Sequence, residues 1–292
     1  MIQISFRLGA AEVEALSELL PELGALAVTL QDAADQPLYE PPLGTTPLWE
    51  RTDVVALFEA DADIESVLEV LRATLDVHAP LQYTVRHVED KDWERACLDQ
   101  FKPLKFGERL WVCPSWHEAP EPDAVNIILD PGLAFGTGTH PTTALCLEWL
   151  DAHAVSGLDV LDYGCGSGIL ALAAAKLGAA RVWAVDHDPQ ALTATRANAE
   201  QNGLGATILT MAPEQLPAVQ ADLILANILA NVLGDLAQRF AALLKPGGQI
   251  VLSGILSDQV EPLLTAYRPW FALRLWRDRA GWTCLAGTKK SD

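Results

Sequence analysis

An apolar strand, a glycine turn and a helix follow one another in Val160-Leu161-Asp162-Tyr163-Gly164-Cys165-Gly166-Ser167-Gly168-Ile169-Leu170, the stretch best suited to hold a ligand by its backbone. Without Cβ atoms the glycines can take positive φ and bring N–H groups close to a bound molecule, while the N-terminus of the following helix favours negative charge. One strand later, Trp183-Ala184-Val185-Asp186-His187-Asp188-Pro189 ends on an acid. A carboxylate at the C-terminal end of a parallel strand can accept both hydroxyls of a ribose, and Pro189 suits the first turn of the next helix. Loop and acid together read as a nucleoside cradle. The spacing is G-x-G-x-G after Asp162, whereas the dinucleotide fingerprint is G-x-G-x-x-G. A nicotinamide enzyme would nevertheless recognise its ribose with the same geometry, and stays open as a reading of these residues.

A third element is Ala226-Asn227-Ile228-Leu229-Ala230, at the end of a fourth strand that parallel topology places beside the ligand crevice. The amide of Asn227 would face the reacting centre there, or it serves only as a helix N-cap. Upstream lies Leu129-Asp130-Pro131-Gly132-Leu133-Ala134-Phe135-Gly136-Thr137-Gly138-Thr139-His140-Pro141-Thr142-Thr143, too rich in glycine for regular structure, with Pro141 opening a helix. Hydroxyls of Thr142 and Thr143 in its first turn can hold a carboxylate or a base edge, and Phe135 can cover a cationic group. The alternative is a lid without direct contacts.

The D-Y-G-C-G-S-G loop resembles the first motif of class I methyltransferases, and D-H-D-P after the next strand is similar to their ribose-binding acid. With D-P-G-L-A-F-G-T-G-T-H-P-T-T and A-N-I-L-A in the same order, the chain resembles the bacterial ribosomal protein L11 methyltransferases, the PrmA family, over nearly its whole length. The resemblance implies S-adenosyl-L-methionine as cofactor and a Rossmann-like catalytic domain. It also implies a small N-terminal domain that captures the substrate, and a mobile linker. The reaction implied is methylation of lysine side chains and the N-terminal amine of one ribosomal protein. By motif match, cofactor contacts fall on Thr143, Gly164, Asp186 and Asn227, with Gly166 and Gly168 shaping the loop. Where many amino-group methyltransferases carry Asn-Pro-Pro-aromatic, Asn227 is followed by Ile-Leu. With no ring to stack on a flat base, a flexible alkylamine is the better fit.

Methyl transfer from a sulfonium is an in-line displacement, so the protein mainly aligns nucleophile and methyl group. The amine must be neutral, although lysine has a pKa of about 10.4 and an α-amine of about 8. Burial beside a sulfonium lowers that pKa, after which Asn227 and a neighbouring carbonyl can aim the lone pair; no dedicated general base and no metal are expected. The six histidines are scattered without metal-like or triad-like spacing and are read as structural. Cys165 is read as a small residue tolerated in the loop, because no basic partner is near in sequence.

The elements that must position these residues follow from hydrophobic periodicity. Strands are expected at Val160–Tyr163, Val182–Val185, Thr207–Leu209, Leu223–Ala226 and Gln249–Leu252, closing with Phe271–Arg277 and Trp282–Ala286 as an antiparallel pair. Helices are expected at Thr142–Ala152, Ile169–Leu177, Pro189–Asn202, Leu229–Leu244 and Asp258–Tyr267, covering both faces of a doubly wound, mostly parallel sheet. The first hundred residues read βαββαβ, a small split-βαβ, ferredoxin-like α+β domain, with strands at Ile2–Leu8, Ala25–Gln31, Asp53–Glu59 and Tyr83–Val88. Its helices are Ala11–Leu23 and Ile64–Leu75, and a Pro-rich excursion spans Gln36 to Pro47. A short helix at Asp92–Gln100 precedes a stretch that loses periodicity. The expected division is 1–97 for substrate recognition, 98–108 for the linker and 109–292 for cofactor binding and catalysis.

Composition narrows the partners. The 292 residues carry 39 acidic and 20 basic side chains, net −19, and the imbalance is concentrated at the front, where residues 1–100 hold 20 acids and 6 bases. Such a surface repels nucleic acid and steers a lysine-rich protein toward itself, unless it is only an acidic solubility coat. No membrane span or leader is legible and five scattered cysteines point to reduced thiols, so a cytoplasmic monomer without direct nucleic-acid binding is expected. An RNA or other amino-group methyltransferase, and a non-catalytic cofactor-binding module, remain as alternatives; labelled cofactor offered to ribosomal fractions separates them.

Overall fold

Alternating apolar residues Ile2, Ile4 and Phe6 place one face of the first strand in a core, and the computed structural model builds a sheet around them. It describes residues 1–34, 36, 48–74, 82–88, 101–131 and 138–291. The chain divides into two compact units, Met1–Ala96 and Cys97–Asp292.

The front unit runs β1 (Ile2–Gly9), α1 (Ala10–Glu22), β2 (Ala27–Asp32), β3 (Arg51–Phe58), α2 (Ile64–Thr74) and β4 (Gln82–His87). Its strands lie in the order β2-β3-β1-β4 with every neighbouring pair antiparallel, the split-βαβ arrangement expected. Ile4 stands opposite Ala56 on one side and Val85 on the other. Helix α1 begins where Glu12 reaches back to accept the Gly9 N–H at 2.9 Å. It ends before Gly24, whose φ of +92° reverses the chain. Val13, Leu16 and Leu20 of α1 and Leu71 of α2 pack with Ile4, Phe6, Val54 and Phe58 into one cluster. The expected Asp92–Gln100 helix and most of the Pro-rich excursion lie outside the described residues.

The second unit opens with a small sheet, β5 (Leu104–Phe106), β6 (Leu110–Cys113) and β7 (Val125–Ile128). Here the structure departs from the expected linker at 98–108, because Leu104–Phe106 pairs antiparallel with Leu110–Val112. The turn between them is bolted down: the Glu108 N–H donates to Asp151 Oδ2 at 2.7 Å and Arg109 reaches the same carboxylate at 3.3 Å. A three-residue strand is too short to show a period, which is why the segment reads as irregular.

Five parallel strands and an antiparallel pair then form one sheet in the order β10-β9-β8-β11-β12-β14-β13. They are β8 (Asp159–Tyr163), β9 (Arg181–Val185), β10 (Ile208–Met211), β11 (Ala221–Asn227), β12 (Leu244–Leu256), β13 (Phe271–Arg279) and β14 (Trp282–Lys289). The helices are α3 (Pro141–Ala152), α4 (Ile169–Lys176), α5 (Pro189–Gln201), α6 (Ala230–Leu243) and α7 (Val260–Tyr267). Two buried clusters, one containing Leu147 and Leu172 and the other Leu233 and Phe240, cover the sheet, as the apolar runs require. Strand order reverses between β8 and β11, so a crevice opens at their C-terminal ends.

Leu16 is fully buried on α1. Leu16→Ala is expected to destabilise the front unit by about 2–5 kcal/mol, whereas Glu18→Ala on the exposed side of the same helix should stay within roughly 0.5 kcal/mol. Urea unfolding of the full chain checks both; equal midpoints for the two variants would contradict this packing.

Candidate active site

The glycine loop follows β8, and all three of its glycines adopt left-handed backbone, with φ of +81°, +55° and +81° at Gly164, Gly166 and Gly168. Space is as restrictive as conformation. A Cβ on Gly164 would lie 2.2 Å from Cγ2 of Ile228, and one on Gly168 would lie 2.7 Å from Cγ2 of Thr195. Helix α5 fastens the loop from behind, because Thr195 Oγ1 donates to the Gly166 carbonyl and Asn198 Nδ2 to the Ser167 carbonyl, each at 2.9 Å. Burial pushes the Cys165 thiol far above its ordinary pKa, so it is no nucleophile, in line with its reading as a tolerated small residue.

Asp186, at the end of β9, is 8% exposed and tied to the same loop. Its Oδ2 accepts the Gly166 N–H at 2.9 Å and its Oδ1 accepts the Asp188 N–H at 3.0 Å. Each oxygen uses one lone pair in this way, and a carboxylate keeps further acceptor capacity at both. Asp188 in turn caps α5 through the Gln190 N–H, with Pro189 in the first turn.

Asp162, on the neighbouring strand β8, is fully buried. Its Oδ2 accepts the Ala171 N–H at 3.0 Å, tying the strand to the first turn of α4, while Oδ1 has no partner. Burial, opposed by the Ala171 bond and reinforced by the nearby charge of Asp186, pushes its pKa up to about 7.

Across the strand-order reversal, Asn227 ends β11 and its Nδ2 donates to Thr143 Oγ1 at 3.2 Å. The bond joins residues 84 apart in sequence and leaves Oδ1 of the amide as an acceptor. Thr143 is 3% exposed in the first turn of α3. That turn is fixed by His140, whose Nδ1 lies 2.8 Å from Thr142 Oγ1 and whose ring meets Trp282 edge-on at 4.9 Å. Burial lowers the His140 pKa, consistent with a structural histidine. From β12, Ser253 Oγ donates to the Thr142 carbonyl at 3.1 Å. The next residue, Gly254, has φ of +83°, and a Cβ there would lie 2.3 Å from the Ile228 carbonyl oxygen. Ile228 is therefore gripped between Gly164 and Gly254.

Thr143, Gly164, Asp186 and Asn227 thus belong to one contact network, through Asn227–Thr143, Gly164–Ile228 and Gly166–Asp186. Thr195, Asn198, Ser253 and Gly254 support it and were not singled out in the sequence. A lone glycine inside a strand pattern was the available signal for Gly254; the others carry none. Phe135 and the rest of 132–137 lie outside the described residues, but both flanks are anchored. Asp130 accepts the Ser115 N–H at 2.7 Å, and His140 caps α3. Among the described residues no three His, Cys, Asp or Glu side chains are placed to share a metal ion.

A carboxyl whose pKa rises on folding favours the fold while it is protonated. For Asp162 that contribution is complete below pH about 4 and is lost as pH rises through about 7. Wild-type stability should therefore carry a downward component of up to roughly 1.4 kcal/mol per pH unit in that window, and Asp162→Asn should lack it. Thermal melts of both proteins between pH 5 and 8 test this; parallel pH profiles would refute it.

The family model described as ribosomal protein L11 methyltransferase (PrmA) matches residues 1–290. A ribosomal protein L11 methyltransferase of Marinobacter nauticus is 54% identical over 295 aligned residues, covering 99% of this chain and 98% of its own. Its counterpart in Shewanella sediminis is 52% identical and covers 99% of each chain. Among solved structures, a ribosomal protein L11 methylase from Lactobacillus delbrueckii subsp. bulgaricus superimposes with a TM-score of 0.59 at 35% identity. That match covers 65% of this chain and all of the other.

Proposed function

The chain belongs to the ribosomal protein L11 methyltransferase family, and from that premise we propose that it moves methyl groups from S-adenosyl-L-methionine to lysine side chains and the N-terminal amine of ribosomal protein L11. It is an S-adenosylmethionine-dependent protein methyltransferase; the residue assignments that follow are our reading of its site.

The residues present suit that cofactor. The loop at Gly164–Gly168 is a cradle from which side chains are excluded by contacts with Ile228 and Thr195, leaving backbone to meet the ligand. Asp186 holds acceptor capacity at both oxygens for a ribose diol. Thr143, whose hydroxyl accepts from Asn227, retains its own O–H to donate to a carboxylate or base edge. When bound, S-adenosyl-L-methionine supplies a methyl group already activated by its sulfonium.

The amine side of the reaction falls to Asn227. With Nδ2 engaged by Thr143, the free Oδ1 accepts an N–H from the incoming amine and turns its lone pair toward the methyl carbon. The Asn227–Thr143 bond is the observation that carries this reading, because it fixes which end of the amide faces the amine. The amine loses its proton to water rather than to a dedicated base, aided by burial beside positive charge. We assign substrate capture to the front unit, whose charge suits a basic protein. We further place the protein in the cytoplasm as a monomer without direct nucleic-acid contact; among the described residues no helix is long and apolar enough to cross a membrane.

Asn227→Ala should lower kcat by about 10- to 100-fold through lost alignment, with cofactor affinity falling less. Asp186→Asn should instead weaken cofactor binding by about 10- to 100-fold, the worth of a hydrogen bond to a charged group. Calorimetry and transfer of labelled methyl to purified ribosomal protein L11 separate the two effects. Wild-type turnover in Asn227→Ala, or label entering RNA instead of protein, would defeat the assignment.

A further inference from the structure

The front unit is electrically two-sided. Residues 10–26 and 59–74, which make up α1, α2 and their flanks, carry nine acidic side chains and one base, Arg72. Arg72 turns to β4, with Nη2 3.4 Å from Tyr83 Oη and the guanidinium 6.0 Å from the ring centre. On the opposite face of the sheet, Arg7 and Asp53 neutralise each other through paired contacts at 2.9 Å. Gln3, Ser5 and Thr29 share this face with Arg86, which stands opposite Gln3, and Arg51, which stands opposite Gly9. Among the described residues of this unit, the net acidity therefore lies on the helical side.

That side also holds an apolar hollow of about 360 Å³, where the end of α1 meets the end of β3 and the start of α2. Leu23, Phe58, Ala62, Val67 and Val70 line it, and Glu59 and Asp63 stand at its edge. Val70 is 41% exposed, and Leu26, two residues beyond Gly24, is 54% exposed. Asp63 holds its charge, since hydrogen bonds from the Ser66 hydroxyl and N–H keep its pKa below the usual carboxylate value. Exposed apolar side chains rimmed by charges of one sign are the surface an amphipathic partner of opposite sign would cover.

We propose that this hollow is the docking groove for a lysine-bearing amphipathic segment of the ribosomal protein substrate, which seats apolar side chains on Val70 and the part-exposed Leu23 and sets its ammonium groups against Glu59 and Asp63. The proposal rests on the functional reading above and adds to it a surface and a mode of recognition. The groove supplies grip and register, while the surrounding acids supply long-range attraction that added salt weakens. Polyanionic RNA is turned away by the same acids.

The test uses the full-length protein and purified ribosomal protein L11, with binding measured by calorimetry at several salt concentrations. Val70→Ser should weaken binding by about 3- to 10-fold, as for a moderately important interface side chain. Glu59→Lys, at the edge of the hollow, should weaken it by about 3- to 10-fold and flatten its salt dependence. Thr29→Lys, on the sheet face away from the helices, should leave binding within about twofold. All three variants should keep wild-type affinity for S-adenosyl-L-methionine, which reports that they fold. Wild-type L11 affinity in both groove variants, an equal loss in Thr29→Lys, or no L11 binding by the wild-type chain would overturn the groove. Binding lost as expected in the groove variants, but with no methyl transfer by the wild-type chain, would instead reject the functional reading and leave the docking surface standing.

Discussion

Everything in the second unit converges on how closely β8 and β11 can approach at their C-terminal ends. The strand order reverses there, so the two chains leaving the sheet diverge and a crevice forms between them. Its width is set by Ile228, which fits only because Gly164 on one side and Gly254 on the other lack side chains. A methyl group at either glycine would push the Asn227–Ile228 backbone away from the loop. Asn227 would then lose its reach to Thr143, and a displacement of about 1 Å is enough to cost a large factor in rate. Steric exclusion at two glycines therefore positions a polar side chain that touches neither of them.

Electrostatics sharpen the same geometry. Two carboxylates from adjacent strands, Asp162 and Asp186, serve one loop in different ways. Asp186 takes two backbone N–H bonds and stays accessible at 8% exposure, whereas Asp162 takes one and is sealed in. Burial, reinforced by the nearby Asp186 carboxylate, makes ionisation of Asp162 unfavourable and raises its pKa to about 7. Helix α5 completes the arrangement by taking up two loop carbonyls through Thr195 and Asn198.

Much of this was legible in the sequence where a period or a short motif carries the information. The five parallel strands and their helices emerged within a few residues of their observed limits, because buried strands show as apolar runs and helices as wider repeats. Gly164 and Asp186, the residues we propose for the cofactor cradle, stand out in the sequence because backbone contact demands glycine and a ribose suits an acid. What stayed hidden depends on contacts between distant residues. Thr195 is an ordinary helix residue until its hydroxyl is seen against Gly166, 29 positions away. Strand β5 is too short to show alternation, and β12 runs through Lys245-Pro246-Gly247-Gly248, a sequence that reads as a turn.

In the proposed reaction, an amide at position 227 suits what a methyl acceptor needs. An amine must arrive neutral, and a carboxylate in contact with the nitrogen would hold the ammonium charged and raise its pKa. An asparagine accepts an N–H bond with the same reach and adds no charge. Its second function, donating to Thr143, is one that an ionised carboxylate cannot perform. Orientation by a neutral acceptor, with the proton left to solvent, is therefore the arrangement these residues favour for alkylamine methylation.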